Sequence, residues 1–403
     1  MNIRVMKFGG TSLATIDHII FASKKIINMT RNSKVIVVLS AMAGSTNSLV
    51  NQIKKINTLD SSESDLVLAT GEQISCGLMS IYLNKEGIKS RTWTAWQVPI
   101  YTNNEYGKAR IENIPKENIL ESFKYYDVAI VTGFQGISKE NKITTLGRGG
   151  SDTTAVAMAA AFHAEQCDIF TDVEGVFTAN PSIVPNAKKI DYITYEEMLE
   201  MASLGAKVLQ TRSVELAMKY NITIQVLSSQ IDKEGTFVVN DNKKMEKEVV
   251  SGISFSKDEA KVTVSGLLDK PGVSAGIFGS LAEANINVDM IVQNISQDGK
   301  TANVTFTLPQ SELKKAVEVL EKIKNKINFQ SLKTDEKVAK VSAIGMGMRS
   351  QAGVATKMFR VLGEKNINIQ AISTSEIKIS VLIDQDYTEL AVRSLHSIYG
   401  LDI

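Results

Sequence analysis

Thr144-Thr-Leu-Gly-Arg-Gly-Gly-Ser-Asp-Thr-Thr-Ala-Val-Ala157 carries the strongest structural signal in this chain. Its pattern predicts an extended segment, a glycine-rich turn and then the N-terminus of a tightly packed helix. The free N–H groups of a first helical turn, together with the positive end of the helix dipole, form an anion site. Arg148, which stands between glycines, adds a fixed positive charge to that site.

The composition is that of a globular protein with more than one domain. At 403 residues, 43% hydrophobic and 22% charged, the chain is too long for one ordinary core. Because 45 Lys and Arg balance 44 Asp and Glu, the charge gives no reason to expect a nucleic-acid or membrane partner. The N-terminus lacks a signal-peptide core, and no apolar run approaches the ~18 residues of a membrane helix. We therefore expect a cytoplasmic protein, in which Cys76 and Cys167 are reduced core residues.

The first half of the chain has the pattern of an α/β domain with a mainly parallel sheet. A short apolar run leads into Lys7-Phe-Gly-Gly-Thr-Ser12, and after a helical pattern the predicted strand 35–39 leads into the small-residue turn 40–46. Such a βαβ opening implies a parallel sheet with helices on both faces. We expect 223–227 to be the final strand of this sheet.

A helix is predicted at 65–85, with an apolar stripe formed by Leu66, Ala69, Ile74, Leu78 and Ile81. Gly71 lies awkwardly inside it, because glycine costs a helix interior about 1 kcal/mol relative to alanine. We therefore expect Gly71 to allow the close approach of another segment. The neighbouring Glu72 is either a solvated residue or a buried carboxylate that awaits an ammonium group, and the glycine favours the second interpretation.

A charged, aperiodic run at 240–248 marks a domain boundary. The domain before it covers 1–240. Two smaller modules follow, at 249–335 and 336–403, and the strand near 249–256 is compatible with pairing in the second of them.

The two C-terminal modules are copies of one pattern. The second copy follows the first at an offset of 81 residues, as from Gly272 to Gly353 and from Asn285 to Asn366. A ferredoxin-like βαββαβ module that occurs twice accounts for this repeat.

Two glycine-rich segments carry cations that suit an anionic substrate. Lys7 follows a predicted strand and precedes two glycines, although the spacing is not that of a Walker A motif and a surface lysine is the alternative. Ser151 and Asp152 are compatible with helix N-caps. Capping does not explain Arg148, whose guanidinium suits bidentate capture of a carboxylate or phosphate.

Two further positions are candidates for nucleotide binding. Thr171-Asp172 ends a predicted strand at the carboxyl edge of the sheet, where nucleotides bind in open α/β folds, and a turn-forming aspartate is the alternative. Lys207 begins a predicted helix, where the dipole disfavours a cation unless the cation meets an anion. The three histidines form no cluster, and no spacing indicates a zinc site or a serine hydrolase elbow.

Several segments, taken in order, resemble those of one family. They are Lys7-Phe-Gly-Gly-Thr-Ser, Leu39-Ser-Ala-Met-Ala-Gly, Thr70-Gly-Glu, Gly147-Arg-Gly-Gly-Ser-Asp-Thr-Thr-Ala, Thr171-Asp-Val-Glu-Gly-Val, Gly205-Ala-Lys-Val-Leu, Asp269-Lys-Pro-Gly-Val and Asn287-Val-Asp-Met-Ile-Val-Gln-Asn. Almost the whole chain is thereby similar to the aspartokinases of the amino acid kinase superfamily. The resemblance implies a three-layer αβα kinase domain with an open, mainly parallel sheet, followed by tandem ACT regulatory domains.

The resemblance implies transfer of the γ-phosphoryl group of ATP, with Mg²⁺, to the side-chain carboxylate of L-aspartate. The product, 4-phospho-L-aspartate, leads to lysine through diaminopimelate, and to threonine and methionine. Because a carboxylate is ionised at neutral pH, its in-line attack needs no general base, and alignment with charge neutralisation is enough. The metal is expected to bind through ATP, without a direct protein ligand.

The resemblance also implies roles for individual residues. Catalysis falls to Lys7, Arg148 and Asp152; aspartate binding to Thr46, Glu72, Arg148, Gly149 and Ser151; ATP binding to Lys7, Phe8, Gly9, Gly10, Ser40, Thr171, Asp172, Phe177 and Lys207. One segment departs from the family, which commonly has Tyr-Thr-Thr-Asp-Pro-Arg where Phe177-Thr-Ala-Asn-Pro-Ser182 stands here. The lost arginine and tyrosyl hydroxyl predict weaker ATP binding or a substitute cation, without loss of function.

In the regulatory half, the resemblance places an amino-acid effector at Asp269, Asn287, Val288, Asp289, Gln293 and Asn294. Feedback inhibition by lysine, alone or with threonine, is then expected, with a coupling of about 1–3 kcal/mol between sites. A plain β-turn is the alternative for Asp269-Lys-Pro-Gly. Since ACT pairs usually associate between chains, we expect at least a homodimer. We expect no fused homoserine dehydrogenase domain after the second repeat.

Two other functions compete with this interpretation. Another amino acid kinase, such as an N-acetylglutamate or uridylate kinase, generally lacks both the Glu72 position and the tandem repeat. A catalytically inactive amino-acid sensor would not need Lys7, Glu72, Arg148, Asp172 and Lys207 together.

Overall fold

The computed structural model describes residues 2–56, 61–204, 208–240, 249–296, 299–349 and 351–402. The chain divides into two compact units. The first consists of Met1–Val176, Lys189–Ala202 and Lys207–Met245, and the second of Phe177–Lys188, Ser203–Ala206 and Glu246–Ile403.

The first unit alternates strands and helices. Its strands are β1 (Ile3–Phe8), β2 (Lys34–Leu39), β3 (Ser90–Trp93), β4 (Tyr101–Thr102), β5 (Ile111–Asn113), β6 (Val128–Thr132), β7 (Gln135–Ser138), β8 (Ile143–Thr145), β9 (Gln166–Thr171), β10 (Tyr192–Thr194), β11 (Thr223–Ser228) and β12 (Thr236–Val239). Its helices are α1 (Ile16–Thr30), α2 (Ser45–Lys54), α3 (Ser62–Leu68), α4 (Thr70–Lys85), α5 (Glu117–Ser122), α6 (Gly150–Ala161), α7 (Tyr195–Ser203) and α8 (Thr211–Tyr220), with a 3₁₀ turn at Thr11–Leu13.

The main sheet of the first unit runs, in the described residues, in the order β10-β12-β11-β9-β1-β2-β6-β3. Its neighbouring strands are parallel except for β11 and β12. The expectation that 223–227 would be the final strand was wrong, because the four-residue β12 returns beside β11. Gly235 allows this return, since a Cβ there would lie 1.7 Å from the carbonyl oxygen of Val226.

The helix at the centre of the first unit is α6, and its residues from Gly150 to Ala159 are all buried. A helix buried on all sides cannot show the polar stripe of a surface helix, which explains its run of small apolar residues. It begins after the antiparallel hairpin of β7 and β8, so the extended segment, glycine turn and helix predicted from the sequence are confirmed.

The predicted helix at 65–85 is two helices, α3 and α4, separated at Ala69. The predicted apolar stripe was wrong, because Ile74 is 58% and Ile81 69% exposed. The buried face of α4 instead uses small, polar and apolar residues together, so hydropathy does not mark it; it comprises Gly71, Glu72, Ser75, Cys76, Met79, Ser80 and Leu83.

By length and composition alone, Ser62–Lys85 could cross a membrane, contrary to the expectation that no run is long enough. Half of its most apolar window is buried within the protein. Asp65 and Glu72 within it are buried and accept hydrogen bonds from backbone N–H groups of the first unit. These are the properties of a helix in a globular core.

The second unit contains the repeat. Its strands are β13 (Gly252–Leu268), β14 (Asp289–Ile295), β15 (Thr301–Leu308), β16 (Ser331–Ile344), β17 (Ile369–Thr374) and β18 (Lys378–Asp384). Its helices are α9 (Val273–Glu283), α10 (Leu313–Ile327), α11 (Val354–Glu364) and α12 (Thr388–Ile398), with 3₁₀ turns at Gln310–Glu312, Met346–Arg349 and Gln385–Tyr387.

The six strands described in the second unit form one antiparallel sheet in the order β14-β15-β13-β16-β18-β17. The long strands β13 and β16 each serve both modules. The first residues of β13, from Gly252 to Ser256, pair with the last residues of β16, which belong to the second copy. Gly272 and Gly353 precede α9 and α11 with φ of 92° and 91°, so the two copies begin their helices alike. The predicted fold class is confirmed.

Candidate active site

A cleft of about 1040 Å³ opens at the carboxyl ends of β1, β2 and β9, within the first unit. Because these parallel strands end at one edge of the sheet, the polar residues that follow them are brought together. Most of the predicted catalytic, aspartate-binding and ATP-binding residues line it: Lys7, Gly9, Gly10, Ser40, Thr46, Glu72, Arg148, Gly149, Ser151, Asp152, Thr171 and Asp172.

Lys7 lies in β1, one residue before its end, and its ammonium group forms an ion pair with Asp152 in the first turn of α6. The Nζ atom lies 2.5 Å from Oδ1 of Asp152, and both side chains are largely buried. The pair holds a positive charge at the bottom of the cleft in a fixed position, beside the N-terminus of a helix. The Lys7 ammonium group and the helix N-terminus can stabilise negative charge on a phosphoryl group.

The segments that follow β1 and β2 approach each other closely, and two glycines make this possible. A Cβ on Gly10 would lie 3.0 Å from the carbonyl oxygen of Ala41, and one on Gly71 would lie 2.8 Å from the Ala41 Cβ. The expectation that Gly71 allows a close approach is therefore confirmed. This contact brings α4, with Glu72 in its first turn, against the turn after β2.

Glu72 is 3% exposed, and only one of its carboxylate oxygens has a protein partner in the described structure. The backbone N–H of Ala41 donates to Oε1 at 3.1 Å, whereas Oε2 is buried without a hydrogen bond. Burial raises the pKa of Glu72 to about 7, against the lowering effect of that backbone hydrogen bond. A buried carboxylate oxygen without a partner at the wall of a cleft suits a cationic ligand.

Arg148 stands at the tip of the turn between β8 and α6, where two glycines adopt left-handed conformations. Gly147 has a φ of 80° and Gly149 a φ of 72°, which other residues rarely adopt. Arg148 is exposed, and the structure gives it no acidic partner among the residues it describes. Its guanidinium is available for a ligand in the cleft.

The first turn of α6 is not capped by a side chain. Gly149 occupies the N-cap position, so Ser151 and Asp152 lie inside the helix, and neither acts as its N-cap. Ser151 instead packs against Gly133 at the end of β6, where a Cβ would lie 2.6 Å from the Ser151 Oγ. Asp152 pairs with Lys7, as described above.

Thr171 and Asp172 end β9 at the edge of the cleft, and the Thr171 hydroxyl donates to the Asp172 carboxylate at 3.1 Å. Ser40 and Thr46 lie on the opposite side, after β2 and in the first turn of α2. The cleft therefore has one end beside Thr171 and Asp172, at β9, and another end beside Glu72.

Two of the predicted ATP residues, Phe8 and Phe177, are not among the residues that line this cleft, and a third lies outside the described residues. The side chain of Phe8 is buried and stacks on Phe170 with ring centroids 4.6 Å apart, so it packs the core. Phe177 belongs to the second unit, and Lys207 lies outside the described residues. Their binding roles stay predictions.

The segment after Phe177 has a packing role that the sequence did not reveal. Ala179, Ile183 and Val184 belong to the hydrophobic core of the second ACT module, and Arg393 of α12 donates to the Ile183 carbonyl at 2.9 Å. Ser182 donates its backbone N–H and its hydroxyl to the Asn180 side chain.

Sequence reasoning missed several residues that line the cleft, among them Tyr106, Lys108 and Phe134. Phe134 has a φ of 69°, and its backbone N–H binds the Thr154 hydroxyl at 3.2 Å. Tyr106 and Lys108 lie on a loop between β4 and β5 without a motif. Tyr106 and Lys108 can be identified only from the tertiary structure, which brings this loop beside the Arg148 turn.

The predicted effector residues of the second unit fall into two groups, which lie near opposite ends of β15. Asp289 stands opposite Thr307, whereas Asn294 stands opposite Asn303. Four residues of strand separate these positions by roughly 13 Å. Asp269, directly after β13, lies at the end near Asn294, where its backbone N–H donates to the Lys300 carbonyl.

Two of these effector candidates already have polar partners. Gln293 accepts a hydrogen bond from Ser274 of α9 at 2.9 Å. Asp289 pairs at 2.7 Å with the buried Lys340 of β16, which also pairs at 2.9 Å with Glu259. Asn287 and Val288 directly precede β14. All six effector assignments stay predictions.

Comparison with known proteins agrees with the fold. Residues 2–228 match the amino acid kinase family, and residues 262–323 and 341–399 match the ACT domain. The chain is 47% identical over 405 residues to an aspartate kinase from Pseudomonas putida, covering all of this chain and 98% of that protein.

Two solved structures of aspartokinase III from E. coli are also similar. One, in complex with aspartate and ADP and described as the R-state, superposes with a TM-score of 0.84 at 26% identity over 99% of each chain. The other, in complex with lysine and aspartate and described as the T-state, superposes with a TM-score of 0.76 at 27% identity over 99% of each chain. The chain therefore belongs to the aspartate kinases of the amino acid kinase family, with two C-terminal ACT domains.

Proposed function

We propose that this enzyme transfers the γ-phosphoryl group of ATP to the side-chain carboxylate of L-aspartate, which gives ADP and 4-phospho-L-aspartate. The observation that carries the proposal is the buried Oε2 of Glu72, which has no hydrogen-bond partner among the described residues and lies at the wall of a cleft that also holds Lys7 and Arg148. The ammonium group of aspartate pairs with this oxygen, and the α-carboxylate of aspartate binds Arg148.

The same observation argues against an N-acetylated substrate. An N-acetyl group has no ammonium to pair with Glu72, so the carboxylate would stay buried and unpaired at the energetic cost of its desolvation. The tandem ACT modules and the name of the E. coli relative bound to aspartate and ADP give further support.

The mechanism we propose is a direct in-line transfer. The aspartate side-chain carboxylate attacks the γ-phosphorus, the bond between phosphorus and the β,γ-bridging oxygen breaks, and ADP leaves with that oxygen. Because the nucleophile is already ionised, no residue has to accept a proton. Lys7, held by Asp152, and the N-terminus of α6 stabilise the charge on the transferring group.

ATP lies with its nucleotide end beside Thr171 and Asp172, at the carboxyl end of β9. The described residues contain no group of three or more His, Cys, Asp or Glu side chains that could hold a metal ion. We propose that Mg²⁺ arrives on the ATP phosphates, where it would neutralise charge on their oxygens.

The regulatory proposal is feedback inhibition by lysine, with or without threonine, through the ACT modules. The E. coli relative described in complex with lysine supports lysine as the first effector to test.

We also propose at least a homodimer, because the edge strand β14 exposes Ile291 and Ile295. The enzyme is proposed to act in the cytoplasm at the start of lysine, threonine and methionine synthesis.

An aspartyl hydroxamate assay with ATP and Mg²⁺, run with and without lysine, threonine and methionine, tests these proposals together. Hydroxamate that depends on both aspartate and ATP supports the reaction, and N-acetylglutamate serves as the competing substrate. Absence of product with aspartate, or equal turnover of N-acetylglutamate, would refute the proposed reaction.

A further inference from the structure

Two cations in the cleft have no described acidic partner: Arg148 and Lys108. They belong to segments far apart in the sequence, the turn between β8 and α6 and the loop between β4 and β5. Their backbones are in contact, because a Cβ on Gly147 would lie 3.1 Å from the Gly107 carbonyl oxygen and 3.7 Å from the Lys108 Cα. Lys108 therefore emerges beside the residue that precedes Arg148.

A buried carboxylate fastens these two segments together. Asp65 of α3 is fully buried, and its two oxygens accept hydrogen bonds from both segments. On the loop, the Gly107 N–H donates at 2.9 Å. On β8, the Thr145 N–H and hydroxyl each donate at 2.7 Å. These bonds to a charged acceptor are of the strong kind, so they fix the Lys108 loop to the strand that carries Arg148.

The side chain of Arg212, in α8, binds backbone carbonyl groups of the same two segments. Arg212 donates to the Leu146 carbonyl at 3.0 Å and to the Ala109 carbonyl at 2.8 Å. The backbone N–H of Ala109 also donates to the Thr145 carbonyl at 2.9 Å. The hydrogen bonds of Gly107 and Ala109 thus fix the backbone on both sides of Lys108, whereas the lysine side chain itself is exposed to the cleft.

We propose that Lys108 is a second substrate-binding cation, which binds the α-carboxylate of the amino-acid substrate together with Arg148, and that Asp65 and Arg212 are the positioning residues that place it there. The inference rests on the proposed function. The assignment to the α-carboxylate follows from position: Lys108 adjoins the Arg148 turn, whereas the phosphate groups belong with Lys7 at the bottom of the cleft.

The test compares Lys108→Ala with Lys142→Ala, a control in an exposed lysine of the β7–β8 turn outside the cleft. We expect Lys108→Ala to raise the KM for L-aspartate roughly tenfold, as suits the loss of one charge-assisted contact. The KM for ATP should stay within about twofold, and Lys142→Ala should behave like the unmodified enzyme. Lys108→Arg should restore most of the affinity.

A substrate analogue separates a direct contact from a structural effect. With L-aspartate α-amide, which lacks the α-carboxylate charge, Lys108→Ala and the unmodified enzyme should have equal kcat/KM. An equal loss with aspartate and with the α-amide, or an unchanged KM for aspartate, would overturn the assignment of Lys108. If the unmodified enzyme does not phosphorylate aspartate at all, the proposed function fails instead.

The positioning role has its own readout. Asp65→Asn should raise the KM for aspartate, and adding Lys108→Ala to it should cause much less than a further tenfold loss. Full additivity of the two changes would refute the positioning role of Asp65. Should Asp65→Asn fail to fold, Arg212→Lys gives the same comparison, because lysine cannot reach both carbonyl oxygens.

Discussion

The Nζ atom of Lys7 lies 2.5 Å from Oδ1 of Asp152, so the end of β1 and the first turn of α6 are joined by an ion pair at the bottom of the cleft. Both side chains are largely buried, which makes the pair structural as well as electrostatic. The contribution of the pair to catalysis and its contribution to stability can be separated by experiment.

Lys7→Ala should lower kcat by roughly 10²–10³, because it removes a preorganised positive charge from the transferring phosphoryl group. It should also destabilise the first unit by about 3–5 kcal/mol, since Asp152 is left buried without its partner. Steady-state kinetics and urea unfolding measure the two effects. The double variant Lys7→Met with Asp152→Asn should recover stability but not kcat; recovery of kcat would show that the lysine is purely structural.

Glu72→Gln should raise the KM for aspartate by roughly 10–100-fold while the KM for ATP changes little. The change removes the charge that the proposed substrate ammonium meets, and hydrogen bonds to charged groups contribute about 1.5–3 kcal/mol. Arg148→Ala should raise the same KM strongly. Glu63→Gln, an exposed position in α3, is the control. An unchanged KM in both site variants would remove these residues from the aspartate pocket.

The pH dependence of kcat/KM for aspartate should show the ionisation of Glu72. Burial raises the pKa of this carboxyl to about 7, so the protonated form predominates below that pH and cannot pair with an ammonium group. Because kcat/KM follows the free enzyme, it should increase as the pH rises through about 7 and level off above it. The inflection should be absent from Glu72→Gln; its persistence there would assign it to another group.

Gly133→Ala should destabilise the first unit by about 1–3 kcal/mol and lower activity. The added Cβ would lie 2.6 Å from the Ser151 Oγ and 2.9 Å from the Leu39 carbonyl oxygen, so the start of α6 has to shift. Gly77→Ala in α4 is the matched control, because a Cβ there would meet no described atom within 4 Å and alanine favours the helix. Urea unfolding of the two variants should give opposite changes in the free energy of unfolding.

Asp269→Ala and Asp289→Ala should differ in the regulatory unit. Asp269 is exposed after β13, so its loss should relieve feedback inhibition and leave the uninhibited rate and stability unchanged. For Asp289, burial by itself would raise the pKa, but the hydrogen bond and charge of Lys340 outweigh burial and lower it. Asp289→Ala should therefore also lower stability, by about 1 kcal/mol. Thermal unfolding and inhibition curves with lysine distinguish the two; retained inhibition in Asp269→Ala would place the effector elsewhere.

Much of the site could be predicted because its signals are local. Gly147 and Gly149 adopt conformations that favour glycine, and their spacing around Arg148 already indicates a turn before a helix. The stripe predicted for α4 failed for a local reason as well. Its buried face includes Gly71, Ser75 and Cys76, and hydropathy does not distinguish such residues from exposed ones.

The sequence by itself determined the α/β pattern, the glycine turn with Arg148 and the two copies of the regulatory module, because backbone conformation and periodicity are encoded in neighbouring residues. Only the tertiary structure decided that Asp65 binds Thr145, 80 positions away. It also decided that one oxygen of Glu72 has no hydrogen-bond partner in the part of the chain that the structure describes, and that the segment after Phe177 packs with the second unit. Such contacts depend on how distant segments meet in space, and no local pattern records them.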